Sequence, residues 1–136
     1  MLRNTYCLFV GLLGLALLLN SCRRYEEGPF ISLRTVENRV QNTWKWSLAL
    51  ENSINRTGEL ADSTITFFED NTVRVCADNE GCREGAWNLI TKKSRLQLIF
   101  GTQATAYDFR FLSAKEMWLR LEDSSNFIEW ELIVEE

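Results

Sequence analysis

Composition limits the chemistry open to this chain, which has 136 residues, four cysteines and no histidine. Without histidine, Ser-His-Asp and Cys-His catalysis are excluded, and so are most zinc sites. The net charge of −4 argues against nucleic acid as a partner, because phosphate binding requires clustered lysine and arginine. The reactive side chains that remain to be considered are the cysteines and the carboxylates.

Two of the cysteines, Cys7 and Cys22, belong to an N-terminal segment that has three parts. Arg3 gives a positive start, residues 6–19 are almost wholly apolar, and Ser21 is a small residue just before Cys22. This arrangement predicts a secretory signal peptide over residues 1–21. The apolar run is about 14 residues long, shorter than the roughly 20 that a spanning helix needs. An uncleaved membrane anchor is the alternative.

The end of that segment, Leu19-Asn20-Ser21-Cys22, resembles the lipobox of bacterial lipoproteins. The resemblance implies that the Cys22 thiol receives a diacylglyceryl group and becomes the first residue of the mature protein. Each buried lipid CH₂ contributes ~0.8 kcal/mol, so two or three acyl chains would hold the protein at a membrane. The expected location is the outer membrane, facing the periplasm or the cell surface, with residues 22–39 as the lipidated N-terminus and tether.

The other two cysteines, Cys76 and Cys82, flank a segment rich in turn-forming residues. A hairpin there would place the two Cβ atoms opposite each other, within disulfide range, and an exported protein occupies an oxidising compartment. We expect a structural disulfide, which would stabilise the fold by about 2 kcal/mol. The alternative is a redox-active or metal-binding pair, although the spacing is not CxxC and no further ligand lies nearby.

The carboxylates do not form a catalytic pattern. General acid–base catalysis needs a carboxyl group with a raised pKa inside a cleft. The close pairs, Glu122 with Asp123 and Glu129 with Glu131, fall on a predicted turn or on the outward phase of a predicted strand. We therefore expect no enzyme, no catalytic residue, no metal site and no cofactor.

The elements that must position these residues are β-strands, because apolar and polar residues alternate from residue 40 onward. The alternation predicts about eight strands, over residues 40–51, 63–69, 73–77, 85–90, 95–100, 105–112, 116–122 and 127–134. Short turns between successive strands favour an antiparallel meander. Closing it into an up-and-down barrel removes its exposed edges, so residues 40–136 are predicted to be one all-β barrel domain.

Several short motifs within this pattern resemble the small lipocalin-like domains of bacterial lipoproteins. They are Trp44 in the first strand, ITFFEDNTV at 65–73, GAWNL at 85–89 and the preceding GPFISLRT at 28–35. The resemblance covers most of residues 28–134 and implies a lipocalin-like barrel. Most relatives of this type have no assigned ligand.

One phase of the alternation is strongly aromatic and is predicted to face the barrel interior. The candidate pocket residues on this phase are Trp44, Trp46, Phe67, Trp87, Phe100, Tyr107, Phe109 and Trp130, and Phe111, Leu48 and Leu50 share it. Such side chains either line a cavity for an apolar ligand or fill the interior themselves. Tyr107 adds a hydroxyl group that could orient a ligand.

The opposite phase also carries apolar residues, namely Phe68, Ile90, Ile99, Leu112, Trp118, Phe127 and Ile133. A free barrel would keep this face polar. The segment from Phe30 to Val36 is too apolar for a linker, so we expect it to dock on the domain, with a short helical turn, and to cover part of this face. The alternative is a surface for a protein partner.

The leading hypothesis is a lipid-anchored envelope lipoprotein whose non-catalytic, lipocalin-like domain binds a small apolar ligand. The alternative is a protein-interaction module, such as an inhibitor of an envelope enzyme or an accessory subunit of a surface complex. An integral outer-membrane barrel is disfavoured because the strands are short and carry charges such as Lys45, Arg74 and Arg95.

Overall fold

The structure is a computed structural model that describes residues 34–78 and 80–136. The predicted signal peptide, Cys22 and residues 22–33 of the predicted tether lie outside the described residues. The elements in the described part are the helix α1 (Val36–Val40), a 3₁₀ helix (Thr57–Leu60) and the strands β1 (Thr43–Glu51), β2 (Ile54–Asn55), β3 (Ser63–Phe67), β4 (Thr72–Ala77), β5 (Gly81–Ile90), β6 (Arg95–Phe100), β7 (Gln103–Leu112), β8 (Glu116–Glu122) and β9 (Phe127–Val134).

Eight of these strands form a closed antiparallel barrel. From β3 to β9 each strand pairs with the next, and β1 pairs with β3 along one edge and with β9 along the other. The two-residue strand β2 is an addition at the far end of β1. The predicted all-β, up-and-down barrel of about eight strands is confirmed.

The turns form where short polar side chains satisfy the backbone. Between β3 and β4, Asp70 accepts a hydrogen bond from the Thr72 N–H at 2.9 Å, which holds the pKa of this carboxyl below its usual value. Between β8 and β9, Asp123 accepts from the N–H groups of Ser125 and Asn126, both at 2.8 Å. These Asx turns lie where turns were predicted. Four predicted strand bounds are wrong: β1 begins at Thr43 rather than at residue 40, which belongs to α1, β3 ends at Phe67 rather than at residue 69, β5 begins at Gly81 rather than at residue 85, and β7 begins at Gln103 rather than at residue 105.

Two β-bulges alter which residues face inward. In β1 the register shifts between Trp46 and Leu48, so Ala49 is buried in the core and Leu48 and Leu50 are not in it. The prediction that Leu48 and Leu50 face inward is therefore wrong. An extra residue in one strand reverses the side-chain alternation beyond it, and the alternation alone does not reveal where such a residue lies.

The second bulge lies in β7, between Phe109 and Phe111. Beyond it the phase reverses, so that Leu112 is fully buried in the core and Phe111 packs against Trp118 with 5.0 Å between ring centroids. The predictions that Leu112 faces outward and Phe111 inward are both wrong, for the same reason as in β1.

Helix α1 closes one end of the barrel. Thr35 caps it by accepting a hydrogen bond from the Asn38 N–H, and Val36 and Val40 are buried in the barrel core. The buried Arg39 donates from Nη1 to the Leu112 carbonyl oxygen at 2.8 Å. Val36 belongs to the segment that the sequence predicts to dock on the domain, and it docks into the end of the barrel.

The predicted disulfide between Cys76 and Cys82 is confirmed. The two residues are directly opposite each other on β4 and β5, and the bond joins them next to the turn between these strands. Because it joins paired residues of neighbouring strands, the disulfide cross-links the β4–β5 hairpin. It lies at the end of the barrel opposite α1.

A glycine on β5 determines how β6 packs. A Cβ atom on Gly85 would contact the carbonyl oxygen of Ile99 and would lie 2.7 Å from Phe100 Cδ1. The absence of a side chain at Gly85 therefore makes room for the Phe100 ring, a device known to let an aromatic side chain cover a strand glycine.

We expect Gly85→Ala to lower the free energy of unfolding by about 1–3 kcal/mol, because the added methyl group overpacks the contact with Ile99 and Phe100. The matched control is Gly58→Ala, since a Cβ atom there meets nothing within 4 Å. Urea unfolding followed by circular dichroism measures both. Equal midpoints for the two variants would contradict the proposed contact.

Candidate functional site

A cavity of about 250 Å³ lies in the barrel toward the end opposite α1. Its walls come from the strand segments nearest that end and from the 3₁₀ helix. The lining residues are Trp46, Leu60, Ile65, Val75, Arg83, Leu98, Phe100, Gln103, Thr105, Tyr107 and Trp130. The barrel is therefore packed at one end and hollow toward the other.

Three aromatic rings form one wall of the cavity. Trp130 stacks on Tyr107 with 4.8 Å between ring centroids and meets Trp46 edge to face at 5.7 Å. These arrangements are the ones that aromatic quadrupoles favour, and each pair contributes about 0.5–1.5 kcal/mol beyond area burial. The three rings of this wall therefore stabilise one another's positions.

Arg83 brings a positive charge to the cavity. It lies on β5 directly opposite Val75, another lining residue, and its guanidinium carbon is 4.7 Å from the centroid of the Phe100 ring. Gly85 leaves space for the Phe100 ring. The contact between β5 and β6 therefore also fixes the position of the ring on which the Arg83 guanidinium lies. Arg83 itself is solvent-exposed, which places its charge at the rim.

Two hydrogen-bonding groups lie deeper. The indole Nε1 of Trp46 is buried and has no hydrogen-bond partner among the described residues. Burial raises the pKa of the Tyr107 hydroxyl to about 12, while the nearby charge of Arg83 acts in the opposite direction. Both groups are therefore neutral hydrogen-bond donors at neutral pH.

The structure divides the eight predicted pocket residues into two equal groups. Four of them line the cavity, namely Trp46, Phe100, Tyr107 and Trp130. The other four are buried in the core and are absent from the cavity wall, namely Trp44, Phe67, Trp87 and Phe109. The two expected outcomes, a packed interior and a pocket, thus occur at opposite ends of one barrel.

The hydrogen bonds of the tryptophans agree with this division. The indole of Trp44 donates to the Val40 carbonyl oxygen at 2.9 Å, and that of Trp87 donates to the Phe68 carbonyl oxygen at 3.0 Å. The N–H donors of both indoles are therefore satisfied by backbone carbonyl groups near α1. Trp46, in contrast, lines the cavity, and its indole N–H has no acceptor in the part of the chain that the structure describes.

Sequence reasoning missed the polar lining residues, Arg83, Gln103 and Thr105. Arg83 has the same phase on β5 as the buried Trp87, and Gln103 and Thr105 have the same phase on β7 as Tyr107. The signal was therefore an inward phase that continues into polar residues at the open end. A search confined to apolar residues could not detect it.

The apolar residues predicted on the opposite phase, apart from Leu112, are distributed over the outer surface. Several pack against cations or other rings there, as Phe68 does with Arg74 and Phe127 with Arg120. Ile133 is 44% exposed. The carboxylates of the outward phase are likewise engaged outside the cavity, since Glu129 lies 2.6 Å from Arg120 Nη2.

Within residues 34–78 and 80–136, no group of three or more potential metal-ligating side chains is placed to hold an ion. In the same residues, no helix combines the length and apolarity needed to span a membrane. No protein-family profile matches the sequence, and no curated protein matches it either. The cavity geometry is therefore the main guide to function.

We expect the Tyr107 hydroxyl to lose its proton at a higher pH than an ordinary tyrosine, because burial raises its pKa to about 12. The raised pKa implies stability that is complete below pH ~10, the unfolded value, and lost as the pH rises through the folded value. Absorbance of the phenolate measures this, with Tyr107→Phe removing the late phase. Tyr107 titrating near the ordinary tyrosine pKa of 10.0 would contradict its burial.

Proposed function

We propose that this protein is a lipid-anchored envelope lipoprotein whose non-catalytic, lipocalin-like barrel binds a small, largely apolar molecule. The observation that carries the proposal is the cavity of about 250 Å³, with Trp46, Tyr107 and Trp130 forming one wall. Concave sites with apolar walls and a few polar groups are the usual form of small-molecule sites in proteins.

The size of the cavity limits the ligand. An engineered protein cavity of about 150 Å³ accommodates benzene, whereas pockets for drug-sized molecules have volumes of about 300–1,000 Å³. The cavity of about 250 Å³ therefore suits a molecule of one or two rings, or a short chain. A diacyl lipid is far too large for it.

The proposed anchor rests on the sequence at Cys22, which lies outside the described residues. Metabolic labelling with an alkyne-bearing fatty acid tests it in the intact host. We expect wild-type protein to carry the label and Cys22→Ser to lose it, because the diacylglyceryl group requires the Cys22 thiol. Cys7→Ser, the control within the predicted signal peptide, should keep it. Labelled Cys22→Ser protein would refute the anchor.

Ligand binding is tested by filling the cavity from one strand. Thr105 lines the cavity on β7, and the neighbouring Ala104 is exposed on the opposite phase. We expect Thr105→Phe to weaken binding of 2-naphthamide, a neutral two-ring probe, at least tenfold because its ring occupies the site. Ala104→Phe should leave the affinity unchanged. Isothermal titration calorimetry measures both variants.

Native mass spectrometry of protein taken from its own host provides an independent check. We expect a bound small molecule in wild-type protein and its absence in Thr105→Phe. An empty wild-type protein that also fails to bind 2-naphthamide would contradict the proposed function.

A further inference from the structure

The cavity differs from a purely apolar pocket in the charge at its rim. Arg83 is the one charged residue among its lining residues, and no carboxylate of the described chain forms an ion pair with it. Other strand arginines are paired, as Arg74 is with Glu84 and Arg95 with Asp108. The Arg83 guanidinium thus lies over the Phe100 ring, and no carboxylate of the described residues occupies its N–H donors.

The other polar lining residues, Gln103, Thr105 and Tyr107, add hydrogen-bonding groups but no negative charge. The Trp46 indole N–H is buried and has no hydrogen-bond partner in residues 34–78 and 80–136, and the Tyr107 hydroxyl keeps its proton at neutral pH. Glu51 lies within electrostatic range of that hydroxyl, but its carboxylate is 3.8 Å from Arg56 Nε, which offsets its charge. One cation at the rim, with no carboxylate among the lining residues, makes the cavity complementary to an anion.

We propose that the ligand is an organic anion of one or two rings, with its carboxylate at Arg83 and its ring among the cavity aromatics. This inference rests on the proposed function, since it names the chemical class of the molecule in the same cavity. A guanidinium presents paired N–H donors that match a carboxylate, and the stacking of Arg83 on Phe100 leaves that edge free.

The volume and the ring geometry favour an aromatic body over a long chain. Trp46 and Tyr107 already contact Trp130 edge to face and by stacking, so a flat ring can continue the same pattern of contacts. An extended fatty acyl chain would project beyond a cavity of about 250 Å³. The expected ligand is therefore the size of an arylcarboxylate.

The test compares 2-naphthoate with 2-naphthamide, two probes of nearly equal shape that differ in charge at pH 7. Isothermal titration calorimetry is performed on the full chain in lipid nanodiscs, with empty nanodiscs as the blank. We expect the naphthoate to bind wild-type protein about tenfold more tightly, the scale of one charge-assisted hydrogen-bonded contact. High salt should narrow this ratio, because the charge lies at the rim.

Two arginine variants locate the effect. Arg83→Gln should bring the two affinities within about twofold by weakening naphthoate binding alone. Arg74→Gln, the matched control on the neighbouring strand, removes an arginine that is paired with Glu84 outside the cavity, and should leave the tenfold ratio intact. Circular dichroism confirms that both variants fold.

The outcomes separate the two proposals. If neither probe binds wild-type protein, the proposed function fails and this inference fails with it. If both probes bind equally, the cavity binds ligands but the preference for an anion is overturned. If Arg83→Gln keeps the tenfold ratio, or Arg74→Gln loses it, the assignment of the carboxylate to Arg83 is overturned. If octanoate binds more tightly than naphthoate, the inference that the ligand has an aromatic ring system is overturned.

Discussion

The antiparallel pairing of β1 with β9 is the contact on which the other features of the domain depend. It extends from Trp44 opposite Val134 to Glu51 opposite Ile128, and so joins the first long strand to the last. Because of it, the sheet encloses an interior and leaves no long free edge along these two strands. The interior can then meet solvent only at the two ends of the barrel, and the ends are where the protein's properties differ.

The hydrogen bonding of the tryptophan indoles differs between the two ends of the barrel. Near α1, the buried tryptophans Trp44 and Trp87 find backbone acceptors, so their indoles serve the fold. Toward the other end, the Trp46 indole is buried beside the cavity without an acceptor among the described residues, a situation that costs about 1–3 kcal/mol. Aromatic residues alone therefore do not identify the site; the hydrogen bonding of each indole distinguishes the packed end from the cavity end.

Much of the fold could be predicted because strands and turns leave patterns in short stretches of sequence. The alternation of apolar residues located the strands, and turn residues such as Asp70 and Asp123 marked their ends. The bulges in β1 and β7 could not be predicted, because no residue type requires a bulge, and a single extra residue reverses the side-chain alternation in the rest of its strand. For this reason the inward and outward assignments of Leu112 and Phe111 were exchanged, whereas those of β6, which has no bulge, were predicted correctly.

The site was predicted only in part, for a reason that concerns depth. Sequence phase tells which face of a strand a residue occupies, but not how far along the barrel axis it lies. Phe67 and Phe100 both point inward, yet one is buried in the core and the other lines the cavity. Depth follows from strand register and from what closes each end, and both require the whole chain to be folded.

The position of α1 also gives the domain a direction. The described chain enters the barrel through this helix, at the end that Val36 and Val40 close. The cavity opens at the opposite end, beside the disulfide-linked hairpin. The point where the described chain enters the domain and the opening of the cavity thus lie at opposite ends of the barrel.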